Sequence, residues 1–120
     1  MTELIEMSGI HCGAITSKAT IINSVADALD IMMTIRYNSD CDRIAINKEA
    51  FSDNFFVLST GMADEILQKF IHYQMKIAIW GDYSKYTSKP LKNFIQKSNQ
   101  GKDIFFLDTK DDAIVKLMSV

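Results

Sequence analysis

Hydrophobic residues along this chain follow two rhythms in turn, short apolar runs and stripes that repeat at helical spacing. Runs at 4–7 and 12–15 read as strands joined across Ser8, Gly9 and Ile10, where a glycine can supply the positive φ of a tight turn. Val25, Ala28, Leu29, Met32 and Ile35 then form an inward helical stripe. Asn23 and Ser24 offer its cap, and Ser24 with Asp27 has the serine-x-x-acid form in which each residue supports the other's orphan amide. In Arg43-Ile44-Ala45-Ile46 two isoleucines flank a small residue, the pattern of a strand covered on both faces.

The next helix is the most regular. Ala63, Ile66, Leu67, Phe70 and Ile71 share one face, while Asp64, Glu65, Gln68, Lys69 and His72 point away. Acids at its start and Lys69 and His72 near its end suit the helix dipole. A strand at 76–80 leads into the polar segment 81–88, then into a helix opened by Pro90, closed by Gly101 and striped by Leu91, Phe94 and Ile95. A strand at 104–107 passes through Thr109, with Asp112 as its capping acid, into a terminal helix carrying Ala113, Ile114, Leu117 and Met118. Strands alternating with helices predict one α/β domain with a mixed, mainly parallel sheet in the order β-β-α-β-α-β-α-β-α.

Composition narrows the function more than it names it. The 120 residues, 48% hydrophobic, suffice for one compact core. Thirteen Lys and Arg against fifteen Asp and Glu leave a net charge of -2, without the basic excess that nucleic acid binding requires. Acids near the N-terminus do not resemble a signal peptide, and no apolar run approaches the roughly 18 residues of a membrane span. A cytoplasmic location is expected, with neither nucleic acid nor membrane as partner. Cys12 and Cys41 form no CxxC pair, in keeping with a reducing compartment. A single proline, Pro90, and no repeat or low-complexity stretch leave no linker to divide the chain.

Two places carry candidate chemistry. Ser59 and Thr60 stand at the mouth of the 63–72 helix, where a hydroxyl can cap the first turn or accept a modification, although Asp64 and Glu65 would repel an added phosphate. The 81–88 segment follows a parallel strand at its carboxyl end. There Asp82, Ser84, Thr87, Ser88 and Lys89 offer acceptors, hydroxyls and a cation beside a helix N-terminus, the parts of an anion seat. No Walker or GxGxxG pattern points to a nucleotide. His11, Cys12, Cys41 and His72 lack zinc spacings, so no metal or other cofactor is expected. Acids flanking Cys41 disfavour a reactive thiolate, and no nucleophile elbow occurs. Phe51, Phe55 and Phe56 crowd one loop, where burial over the sheet competes with an exposed partner patch.

The strings Phe55-Phe56-Val57-Leu58-Ser59-Thr60-Gly61, Glu65-Ile66-Leu67-Gln68-Lys69-Phe70, Ala78-Ile79-Trp80-Gly81-Asp82-Tyr83-Ser84 and Ser88-Lys89 together resemble an uncharacterised bacterial family, the domain of unknown function numbered 4180, over nearly the whole chain. Val57 departs from that family's pattern, in which an aspartate is common at this place. The family carries no established activity. More broadly, the element order and the Ser-Thr-Gly turn are similar to the sulfate-transporter and anti-sigma-factor-antagonist (STAS) domain, in which a serine at this helix mouth is phosphorylated to switch binding of a partner kinase. The resemblance implies Ser59 or Thr60 as the switch residue.

The expected function is a non-enzymatic regulatory or scaffolding module that binds another protein, or a second copy of itself, through the surface around Phe55, Phe56 and Met62. The alternative is a binder of a small anionic or phosphate-bearing ligand, or an enzyme, using the loop from Asp82 to Lys89 together with the Ser59 and Thr60 mouth.

Overall fold

A computed structural model describes residues 2–7 and 9–120 of the chain; Ser8 of the expected turn lies outside the described residues. Five strands form one mixed sheet in sequential order: β1 (Thr2–Met7), β2 (Ile10–Ile15), β3 (Arg43–Asn47), β4 (Lys76–Trp80) and β5 (Ile104–Leu107). β1 runs antiparallel to β2, and β2 to β5 are parallel. Gly9, with φ +80°, sits where this hairpin reverses, a conformation that costs glycine little. Four helices connect or follow the strands: α1 (Val25–Ser39), α2 (Met62–His72), α3 (Lys89–Asn99) and α4 (Lys110–Met118). Between β3 and α2 the chain makes three short 3₁₀ turns, Lys48–Ala50, Asp53–Phe56 and Leu58–Thr60.

The side-chain caps of α1 and α4 form at the residues the sequence offers, although Asp27 reaches the Asn23 amide rather than that of Ser24. Ser24 accepts from the Asp27 amide while Asp27 Oδ2 accepts from the Asn23 amide at 2.9 Å, and Thr109 accepts from the Asp112 amide. No helix among the described residues is long and apolar enough to cross a membrane.

Each parallel step moves one strand further along the sheet. A right-handed crossover therefore lays α1, α2 and α3 on the same face. Ile15, Ile44, Ile46, Ile77, Ile79 and Phe106 meet their stripes there, in a core that includes Met32, Ile66, Phe70 and Leu91. α4 covers the opposite face, packing Ala113 and Leu117 on Cys12, Ala14, Ala45, Ala78 and Phe105. Ala14, Ala45 and Ala78 are register partners on three adjacent strands, so the sheet presents a row of small residues to this helix. Arg43 ties the far end down by donating to the carbonyls of Leu117 and Val120.

That row gives a direct test. Ala45 is wholly buried in its middle, and Ala45→Leu forces bulk into a close-packed layer. Overpacking of this kind costs about 1–3 kcal/mol, so the urea midpoint should fall clearly with an unchanged slope; no change would mean that α4 does not lie closely on the row.

At the β5 edge, the Asn99 side chain does the work of a further strand. Its Oδ1 accepts from the Phe106 amide at 2.6 Å and its Nδ2 donates to the Phe106 carbonyl at 3.1 Å, satisfying backbone groups that an open edge would leave available for pairing.

Candidate functional site

The carboxyl ends of β2, β3 and β4 release the chain into loops that meet along one edge of the sheet. Asn47, the last residue of β3, is buried and reads the backbone of the β2 loop: Oδ1 accepts from the Ser17 amide at 2.8 Å and Nδ2 donates to the Ser17 carbonyl at 2.6 Å. The next residue, Lys48, is only 8% exposed. Its stem lies against Gly81 just past β4, where an added Cβ would come within 2.8 Å of Lys48 Cβ and 3.1 Å of its Cε. Lys48 Nζ ends 3.3 Å from Glu49 Oε2 and 5.5 Å from the centre of the Tyr86 ring. Partial burial pushes the Glu49 carboxyl up, but its own amide, the Lys48 ammonium and the Asn47 amide outweigh this and hold it below its ordinary value.

Gly81 also has φ +157°, which side chains with a Cβ rarely adopt. Gly81→Ala should therefore destabilise by about 1–3 kcal/mol through overpacking at Lys48, seen as a drop of several degrees in thermal unfolding. An unchanged Tm would show that Lys48 is free to move aside.

Two clefts, of which Lys48 lines the first, meet at a ridge of Phe56 and Tyr86 whose rings lie 5.2 Å apart at 28°. The first, about 270 Å³, is lined by Lys18, Lys48 and Lys85, by Glu49 and Asp53, and by Thr20. Three lysines against two carboxylates leave one net positive charge, and Lys85 Nζ lies 5.3 Å from the Tyr86 ring centre, within cation–π range. The second, about 530 Å³, has walls from Val57, Leu58, Pro90 and Leu91 and hydroxyls from Ser59, Thr87 and Ser88. Apolar depressions along α1, lined among others by Ile21 and Ile31 or by Met33 and Tyr37, carry one charged side chain each, Asp30 and Arg36.

The helix-mouth and loop candidates are thus neighbours in part. Ser59, Thr87 and Ser88 line one cleft. Ser88 also caps α3 by accepting from the Leu91 amide. Thr60 is occupied structurally, donating to the carbonyls of Asn54 and Val57 and accepting from the Met62 amide at 3.2 Å. The Ser59 side chain is exposed and makes no hydrogen bond among the described residues. The residue that caps α2 is Gly61 in the left-handed region, with no side-chain bond.

Asp82 and Ser84 turn to each other rather than to a cleft. The Ser84 side chain and then its amide, at 2.9 Å, hold the exposed Asp82 carboxyl below its ordinary value. Lys89, on the first turn of α3, lines neither cleft. Tyr83 packs inward and donates to the Ile79 carbonyl at 2.9 Å; burial pushes its hydroxyl well above the usual range.

The proposed partner surface needs correction. Phe55 and Phe56 are 1% and 6% exposed and pack at tilted and edge-on angles with Phe51 in the core, and Met62 is half-buried against it. The 3₁₀ turn Asp53–Phe56 points both rings inward, so neither is available as a docking surface. The thiols are quiet too. Burial, with Cys41 adding to it, pushes Cys12 up to about 11, and burial followed by Asp42 and Asp40 raises Cys41.

Lys48, Asn47, Glu49, Lys18, Lys85 and Tyr86 were not among the sequence candidates. The signal for the first three was present, since a polar triplet directly follows the apolar β3 run and lies, like 81–88, at a carboxyl end. Strand order alone does not supply a crevice here. The parallel strands run in unbroken sequence, so there is no reversal point of the usual ligand-binding kind, and the loops build the clefts instead.

No curated protein and no solved structure matches the chain. The family model described as a domain of unknown function, DUF4180, matches residues 7–117, which span the whole parallel sheet and both clefts. By this match, the chain belongs to the DUF4180 family.

Proposed function

We propose that this protein binds a small anionic ligand at the carboxyl edge of its sheet, in the cleft between Lys18, Lys48 and Lys85. The observation that carries the reading is Lys48. Its stem is packed so that the side chain is only 9% exposed, its ammonium is held at the wall of the cleft, and the carboxylate that faces it, Glu49, is more than half exposed and so screened by water. An entering anion would gain charge-assisted hydrogen bonds from a cation already held in place. Protein docking through the aromatic loop loses its anchors once Phe55 and Phe56 are in the core.

The test is a titration with inorganic phosphate followed by amide NMR shifts. Saturable movement of Lys48, Glu49 and Tyr86 is expected, and their immobility at tens of millimolar phosphate, on the order of the weakest binding worth the name, overturns the reading.

A second reading rests on Ser59. The sequential sheet and the Ser59 turn before α2 support a STAS-like fold, in which this serine is the phosphorylated residue, and Ser59 has the free hydroxyl while Thr60 does not. Extra mass on the native chain that survives denaturation and maps to Ser59 would support it; an unmodified Ser59 after purification from the native host would count against it.

A further inference from the structure

We infer that the ligand is a small amphipathic acid with a single anionic head, its head held by Lys48 and its apolar body lying across the Tyr86 ridge in the neighbouring cleft. The inference rests on the anion-binding reading and adds what kind of molecule the site takes. Phe56, Lys85 and Tyr86 line both clefts, so the two are halves of one groove. The halves differ in chemistry. The lysine cleft is small, about 270 Å³, and polar. The other is about twice as roomy, at about 530 Å³, with Val57, Leu58, Pro90 and Leu91 as walls. A cleft of that size with apolar walls and a few hydroxyls is the usual setting for the body of a small organic ligand.

Charge sets the head. With Glu49 and Asp53 beside the three lysines, the small cleft holds one net positive charge. A head carrying one or two negative charges, as a carboxylate or phosphate monoester does, is attracted. A polyphosphate would bring its further charges against the two carboxylates, and like charges in one site repel. The hydroxyls of Ser59, Thr87 and Ser88 on the second cleft offer hydrogen bonds to polar groups on the body, which gives orientation as well as burial.

Three probes and one variant test this by calorimetry and NMR: inorganic phosphate, phenyl phosphate and inorganic tripolyphosphate, against the native chain and Ser59→Trp. Ser59 is exposed and lines the apolar cleft, so an indole there is expected to occupy the cleft without entering the core. The native chain should bind phenyl phosphate at least tenfold more tightly than phosphate, and tripolyphosphate no more tightly than phosphate. In Ser59→Trp the ratio of phenyl phosphate to phosphate affinity should fall toward one. Phosphate binding with no advantage for phenyl phosphate, or an advantage that Ser59→Trp leaves intact, overturns the inference while anion binding stands. Tripolyphosphate binding tenfold tighter than phosphate overturns the head of one or two charges. If none of the three anions binds, the anion-binding reading itself has failed and the inference with it.

Discussion

Phe55→Ala is expected to lower the stability of this protein by about 3–5 kcal/mol, the range for deleting a fully buried aromatic ring. The ring is 1% exposed, its centre lies 4.4 Å from that of Phe51 and 5.0 Å from that of Phe56, and it belongs to the core shared with α2. Replacement by a methyl group leaves a cavity that the flanking 3₁₀ turns are poorly placed to fill, because their backbone is pinned. Ser52 accepts from the Asn54 amide, the Phe55 amide donates to the Ser52 carbonyl, and the Ser52 amide donates to the Ile22 carbonyl. Total stabilities of small domains run at about 5–15 kcal/mol, so the loss should be visible in any denaturant titration. The control is Val57→Ala two residues on, where 49% of the residue is exposed and a change within about 0.5 kcal/mol is expected. Comparable small effects at both positions would return Phe55 to the surface and reopen protein docking through this loop.

Why the loop was ambiguous in sequence follows from its geometry. Helical and strand periodicity assign faces to regular elements, and on that basis Met32, Ile66, Phe70 and Leu117 were placed inward, as they are. The segment 48–60 has no single period. It is three 3₁₀ turns with separate axes, so neighbouring phenylalanines can point the same way, and nothing in the spacing says which. The alanine row is a different case. Ile44-Ala45-Ile46 already signals a strand covered on both faces, but that the small side meets α4 depends on the register of three strands, which no local pattern contains. The same limit hid the site. The hydroxyls of the 81–88 loop were legible one strand at a time, whereas the pairing of Lys48 with Gly81 and Tyr86 joins two loops through a contact that only the parallel alignment of β3 and β4 creates.

Lys48→Met should separate stability from binding. Removing one partner of a buried ion pair is damaging when it strands the other charge in the interior, but replacing the buried member with an apolar residue of similar length is often neutral or stabilising. Here the remaining partner is Glu49, more than half exposed and still bonded by Asn47 Nδ2 at 3.4 Å, so no charge is left stranded. A methionine can also follow the lysine stem past Gly81, where packing against the chain is tight. Unfolding free energy should therefore change by less than about 1 kcal/mol, and by the desolvation argument should rise rather than fall. Phosphate affinity should drop at least tenfold, which corresponds to about 1.4 kcal/mol lost with the cation. Glu49→Gln should move affinity the other way, because it raises the cleft's net charge while replacing the carboxylate with an amide of similar shape. A methionine variant that binds phosphate as well as the native chain while unfolding far more easily would identify Lys48 as a structural lysine and take the anion away from this cleft. If stability holds, binding falls and Glu49→Gln strengthens it, then the protein holds the Lys48 ammonium at the wall of this cleft for the sake of what comes to meet it.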